Sequence, residues 1–196
     1  MRPPEILEAL APVAEALEAL GVAYYVGGSV ASSAHGVPRA SLDVDLLAEL
    51  GPEHVAPLCR RLQDAYYLDP GRIRDAVARR RSFNLIHLET MFKVDVFVST
   101  GRAFDREALS RVSAEVLGEG ERARAFALAS PEDTILVKLE WFRLGGEVSE
   151  RQWTDVLGML KVLGTSLDSA YLGRWAPVLG VADLLERARQ AVNPGA

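Results

Sequence analysis

The sequence has 196 residues, the length of one domain or of one domain with a small additional lobe. Hydrophobic residues make up 49% of the chain and charged residues 25%, which excludes a collagenous, low-complexity or disordered protein. The formal net charge is −5, with no basic half, and this argues against a protein that binds nucleic acid over its whole surface.

Cysteine content and hydropathy predict the compartment. Cys59 is the only cysteine, so no intramolecular disulfide can form. No apolar run approaches the roughly 18 residues of a membrane span, and the first residues lack the pattern of a secretory leader. We therefore expect a cytoplasmic protein that has no membrane partner.

The first two thirds of the chain have the patterning of a mixed α/β fold. An amphipathic helix is predicted at residues 5–20, a buried strand at 23–26 and a short helix after Gly27-Gly28-Ser29. The next predicted elements are a strand at 42–47, a helix at 52–65, strands at 82–88 and 92–98, and edge strands at 113–117 and 124–128.

After residue 130 the hydrophobic period is helical throughout. Ser130 followed by Pro131 is typical of a helix start, with a capping serine and proline at the first helical position. Ser149 to Gln152 has the spacing of a capping box and predicts a second helix. Two shorter helices are predicted near 167–176 and 181–192.

These patterns predict one fold class, α/β (α+β). A small mixed-sheet core with helices is expected at residues 1–128, followed by a C-terminal helical lobe at 129–196. Trp141, Trp153 and Trp175 fall at helical positions of that lobe and are expected in its core.

Three aspartates lie on two of the predicted strands. Because side chains alternate along a strand, Asp43 and Asp45 share one face while their apolar neighbours occupy the other. Asp95 has the same relation to the valines beside it. Carboxylates crowded on one face repel one another, and Mg²⁺ or Mn²⁺ compensates such a group with help from substrate phosphates. The alternative for Asp95 is an ion pair with Lys93.

A glycine turn precedes the acidic strands. Gly27 and Gly28 allow close approach of the backbone and positive φ angles, and the amides that follow can bind phosphates together with the Ser29 hydroxyl. Taken alone, the motif is equally typical of an ordinary turn between a strand and a helix.

Together, the glycine turn, Asp43-Val44-Asp45 and Asp95 resemble the signature of the DNA polymerase β-like nucleotidyltransferase superfamily. Within it, residues 36–41 and the run from Pro131 to Lys138, with Arg143 downstream, resemble the minimal nucleotidyltransferases and the abortive-infection toxins. Those proteins commonly have Arg-x-Thr before the acidic pair, where this chain has Arg39-Ala40-Ser41.

The resemblance implies transfer of a nucleoside monophosphate from a nucleoside triphosphate to a hydroxyl of RNA, protein or a small molecule. It assigns Asp43, Asp45 and Asp95 to Mg²⁺ or Mn²⁺ and to catalysis, with Asp95 activating the acceptor hydroxyl. The nucleotide is expected between the sheet and the helical lobe. The residues expected to bind it are Gly27, Gly28, Ser29, Arg39, Ser41 and Lys138.

Several interpretations stay open at this level. An inactive relative would bind nucleotide as a sensor or act in a toxin–antitoxin pair with a cognate antitoxin. An antibiotic-modifying enzyme would need an acidic pocket for a cationic drug, and no run of acids indicates one. Arg39 is either a phosphate ligand or a loop cation. Lys138 either reaches the triphosphate, extends to solvent or is anchored by Asp155. The arginines of residues 71–81 indicate a solvated helix face more than an RNA site.

Overall fold

The computed structural model describes residues 4–36, 38, 40–41, 43–120 and 123–193. The chain divides into two compact units, Met1–Val30 with Ala40–Ala129 and Ala31–Arg39 with Ser130–Ala196. In the described part of the chain, no helix is both long enough and apolar enough to cross a bilayer. The expected domains at 1–128 and 129–196 stay a prediction.

The order of elements bears out the mixed α/β class. The elements are α1 (Pro4–Ala19), β1 (Tyr24–Val26), α2 (Gly28–Ala34), β2 (Asp43–Ala48), α3 (Pro52–Leu62), β3 (Tyr66–Tyr67), α4 (Pro70–Ala78), β4 (Ser82–His87), β5 (Lys93–Val98), α5 (Ala103–Ser110), β6 (Ser113–Leu117), β7 (Arg124–Leu128), α6 (Pro131–Leu144), α7 (Glu150–Leu163), α8 (Ser169–Val178) and α9 (Ala182–Val192). A short 3₁₀ helix, Gly164–Ser166, follows α7. The two-residue strand β3 and the helix α5 were not predicted.

Within the described residues, seven strands form one mixed sheet in the order β3-β4-β5-β2-β1-β7-β6. At its centre β2 is parallel to β5 and antiparallel to β1. The register of the parallel pair places Asp43 beside Lys93 and Asp45 beside Asp95. Partners in register project to the same face of a sheet, so this pairing brings the predicted acids together.

The other face of the central strands is the core of the first unit. Val44 and Leu46 of β2 and Val94 of β5 are fully buried, and they share one hydrophobic cluster with α1, α3 and α4. Burial of this apolar surface is the main force that stabilises the sheet and its helices. Because alternate residues are committed to the core, the aspartates are left on the opposite, partly exposed face.

The second unit contains the helices α6 to α9. Ser130 Oγ accepts a hydrogen bond from the Asp133 amide at 3.1 Å, and Ser149 Oγ accepts one from the Gln152 amide at 3.4 Å. The two predicted N-caps are therefore correct. Ile135 and Leu139 of α6 are fully buried.

The expectation that all three tryptophans are core residues is wrong for one of them. Trp175 is 5% exposed, but the side chain of Trp141 is 47% exposed. Helix α6 buries the stripe that includes Ile135, Leu139 and Phe142, and Trp141 lies beside this stripe on the same helix.

Candidate active site

The two aspartates of β2 lie on one face of the sheet, as the alternation predicted. Asp43 and Asp45 are partly exposed, whereas Val44 between them is fully buried. Ser41 Oγ donates a hydrogen bond to Asp43 Oδ1 at 2.8 Å, which orients this carboxylate. Ser41, expected to contact nucleotide, therefore contacts one of the predicted metal ligands.

The glycine turn and the acidic strand fit closely together. The Gly27 amide donates to the Asp45 carbonyl oxygen at 2.8 Å, and Gly28 has a φ of +55°. A β-carbon at residue 28 would lie 2.7 Å from Asp45 Cγ and closer still to Oδ2. Glycine is therefore required here for two reasons, the left-handed backbone and the carboxylate packed against it. This contact joins the glycine turn to Asp45, and a role of the turn at phosphate stays a prediction.

The third aspartate forms the ion pair that the sequence left open. Lys93 Nζ lies 2.6 Å from Asp95 Oδ2, and the two side chains are 42% and 20% exposed. The hydrogen bond that Lys93 donates to Asp95 raises the pKa of Lys93, and the charges of Asp95, Asp43 and Asp45 raise it further, while burial opposes this shift. The charged form of Lys93 is therefore stabilised by all three of the carboxylates that were predicted to bind metal.

Asn84 is a residue of this face that the sequence analysis missed. It is exposed and pairs in register with Asp95 across the antiparallel strands β4 and β5. Asn84, Asp95 and Asp45 consequently form a polar row across three neighbouring strands. The alternation of exposed Asn84 with buried Phe83 and Leu85 could have predicted that Asn84 lies on the partly exposed face of the sheet. Only the strand order shows that Asn84 lies beside the aspartates.

The donor set suits a hard divalent cation. Carboxylate oxygens are the protein ligands that Mg²⁺ prefers, and one or two carboxylates suffice when phosphates complete the coordination. Asp43 and Asp45 meet that requirement. Among the described residues, no group of three or more acidic, histidine or cysteine side chains is arranged to hold a metal ion. A site built from all three aspartates therefore stays a prediction.

The remaining predicted nucleotide ligands have different surroundings. Ser29 is 4% exposed. Arg39 lies outside the described residues, so its expected role at phosphate stays a prediction.

Lys138 belongs to a buried polar cluster of the second unit. It is 3% exposed, and its Nζ donates to Asp155 Oδ2 at 2.7 Å and to Gln152 Oε1 at 3.4 Å. Ser32 Oγ donates to the same Asp155 oxygen at 3.4 Å. Of the three interpretations, anchoring by Asp155 is the one observed. A contact between Lys138 and a triphosphate stays a prediction that this ion pair does not support.

No protein-family model and no curated protein sequence matches the chain. Solved structures do match it. The antibiotic-resistance factor ANT(2'')-Ia in complex with adenylyl-2''-tobramycin is 14% identical, with a TM-score of 0.53, and the match covers 89% of this chain and 96% of that one. A solution structure of ANT(2'')-Ia gives a TM-score of 0.51 at 15% identity, covering 88% and 94% of the two chains.

An antigenic nucleotidyltransferase-like protein from Paracoccidioides brasiliensis also matches, at 15% identity and a TM-score of 0.51. This match covers 97% of this chain and 98% of that one. The protein therefore has a nucleotidyltransferase fold over nearly its whole length. The resemblance deduced from the glycine turn and the aspartates is confirmed at the level of the fold.

Proposed function

We propose that the protein is a nucleotidyltransferase that transfers a nucleoside monophosphate from a nucleoside triphosphate to an acceptor hydroxyl, with the help of Mg²⁺ or Mn²⁺. The observation that carries the proposal is the fit between Gly28 and Asp45, on the face that also holds Asp43 and Asp95. The fold supports it, because the matching structures include ANT(2'')-Ia in complex with adenylyl-2''-tobramycin.

In this proposal Asp43 and Asp45 hold the divalent cation, which when bound would neutralise charge on the phosphates. Ser41 orients Asp43, and the backbone of Gly28 limits where the Asp45 carboxylate can lie. The glycine turn and Ser29 are assigned to the phosphate tail, as the resemblance implies.

Asp95 is proposed to act as the general base. The acceptor oxygen forms a bond to the α-phosphorus, the bond from that phosphorus to the bridging oxygen breaks, and pyrophosphate leaves. The proton of the acceptor hydroxyl passes to the Asp95 carboxylate.

A labelling experiment tests the reaction. The purified protein is incubated with each α-labelled nucleoside triphosphate, Mg²⁺ or Mn²⁺, and one acceptor class at a time: RNA, cytoplasmic protein, or an aminoglycoside such as tobramycin. We expect label to pass to one class, and the Asp43→Asn, Asp45→Asn double variant to lose at least about a hundredfold in rate.

The exposed acid Asp64 supplies a matched control, because Asp64→Asn makes the same chemical change between α3 and β3, outside the strands that carry the aspartates, and should retain full transfer. Equal transfer by the wild type and the double variant would refute the proposal. Metal-dependent binding of triphosphate without transfer to any acceptor would instead favour a nucleotide sensor or a toxin–antitoxin component.

A further inference from the structure

Lys93 is a basic residue placed among acidic ones. Its strand neighbour in register is Asp43, and its ammonium reaches two residues along its own strand to Asp95. The aspartates account for three negative charges on this face, and Lys93 offsets one of them.

The contact with Asp95 is short but accessible. Nζ lies 2.6 Å from Oδ2, slightly closer than the roughly 2.7–2.9 Å that is usual for a charge-assisted hydrogen bond from nitrogen. The Lys93 side chain is 42% exposed, so water can solvate the ammonium if it leaves the carboxylate. A flexible four-carbon stem allows that movement without a change in the strand. The pair is therefore held by charge rather than by packing.

A divalent cation bound to Asp43 and Asp45 would lie close to the ammonium, because Asp43 is the neighbour of Lys93 in register. Two positive charges a few ångströms apart repel by an amount comparable to the attraction within a partly exposed ion pair. The lysine ammonium and the metal ion therefore each weaken the attraction of the other to the aspartates.

We propose that Lys93 is an internal counter-cation of the aspartate face: it holds Asp95 in an ion pair, and a divalent cation that binds the aspartates must displace its ammonium. This inference rests on the proposed metal site. Lys93 is thus a positioning residue whose charge opposes metal binding. It stabilises the fold while no metal is bound, since it partly compensates the repulsion among the three carboxylates.

Titration with Mn²⁺ alone, followed by the electron paramagnetic resonance signal of the free ion, tests the proposal without any measurement of activity. The variants Lys93→Met and Lys93→Gln remove the charge, and Lys93→Arg keeps it. We expect the two neutral variants to bind Mn²⁺ about three- to tenfold more tightly than the wild type. The arginine variant should bind within about twofold of the wild type.

Thermal unfolding of the same proteins separates a charge effect from a packing effect. Without metal, both neutral variants should unfold at a lower temperature than the wild type, and saturating Mn²⁺ should close that gap. Lys161→Met, at an exposed position of α7, is the matched control. It should have the Mn²⁺ affinity of the wild type, and Mn²⁺ should not change the difference between its unfolding temperature and that of the wild type. If Lys93 had only a structural role, its replacement by methionine or glutamine would lower the unfolding temperature by the same amount with and without Mn²⁺.

The outcomes distinguish this inference from the proposed function. If the wild type binds no Mn²⁺ at millimolar concentration, the metal site and the counter-cation fail together. If the wild type binds Mn²⁺ but both neutral variants bind it equally or more weakly, Lys93 is not a counter-cation, and the proposed metal site stands.

Discussion

The backbone of Gly28 lies against the carboxylate of Asp45 so closely that a β-carbon at residue 28 would overlap it. This contact joins the two motifs that resemble a nucleotidyltransferase signature, although they are separated by more than a dozen residues of sequence. It also makes the position of the carboxylate sensitive to a single methyl group.

Replacement of Gly28 by alanine should therefore affect both stability and metal binding. The positive φ of +55° alone costs about 1–2 kcal/mol with a side chain present. The added methyl group would also push Asp45 away, so we expect Mn²⁺ affinity to fall at least about tenfold. Urea unfolding and Mn²⁺ titration measure the two effects.

Gly21→Ala is the matched control for this substitution. Gly21 has a similar φ of +66°, and a β-carbon there would meet nothing within 4 Å. The Gly21→Ala variant should lose stability because of its positive φ, and its Mn²⁺ affinity should equal that of the wild type. If Gly28→Ala also leaves Mn²⁺ affinity unchanged, the contact with Asp45 has no role in metal binding.

Removal of two charges from the aspartate face should not destabilise the metal-free protein. In the Asp43→Asn, Asp45→Asn variant, asparagine can still accept the hydrogen bond from Ser41, and the repulsion among carboxylates falls. We expect the free energy of unfolding in urea to stay equal or rise by about 0.5 kcal/mol. A loss of more than about 1 kcal/mol would show that these carboxylates have a structural role.

The buried pair of Lys138 and Asp155 should be important for stability. Their side chains are 4% and 2% exposed, so Lys138→Met leaves a buried carboxylate without its cation. The expected cost is about 3 kcal/mol or more in urea unfolding. The double variant Lys138→Met, Asp155→Leu should recover much of this loss, because neither charge is then buried. Equal losses in the single and double variants would contradict this account.

Two buried tyrosines of the first unit should make the protein less stable at alkaline pH. Burial raises the pKa of Tyr24 and Tyr66 above the ordinary value of 10.0, and Glu18 raises that of Tyr24 further. Since the folded state keeps protons that the unfolded chain releases, the contribution of these two tyrosines to stability should be constant below about pH 10 and fall above it. The slope is at most about 1.4 kcal/mol per pH unit for each tyrosine.

Tyr66→Phe tests that slope. It removes one of the two phenols and also the 2.7 Å hydrogen bond to the Ala9 carbonyl, so it should be less stable at neutral pH but lose less stability above about pH 10. Tyr67→Phe, at a residue that is 69% exposed, should keep the wild-type slope. The same slope in both variants would rule out Tyr66 as a source of the pH dependence.

Local patterns predicted much of this fold, because they depend on few neighbouring residues. The alternation in β2 and β5 placed the aspartates opposite the buried valines, and the capping serines marked the starts of α6 and α7. Helix α5 was missed because its eight residues are too few to show a helical period, and one of its three buried residues, Phe104, Asp105 and Ala108, is an acid. Strand β3 was missed because two residues cannot show a period.

The sequence by itself therefore determined the fold class and the shared face of Asp43 and Asp45, because periodicity and short-range geometry are properties of neighbouring residues. Only the tertiary structure decided which strands lie side by side. The parallel pairing of β2 with β5 brings Asp95 and Lys93 to the acidic pair, and the pairing of β4 adds Asn84. Only it decided among the three alternatives for Lys138, of which the ion pair with Asp155 is the one observed. Such partners are set by the packing of segments distant in sequence, which no local pattern records.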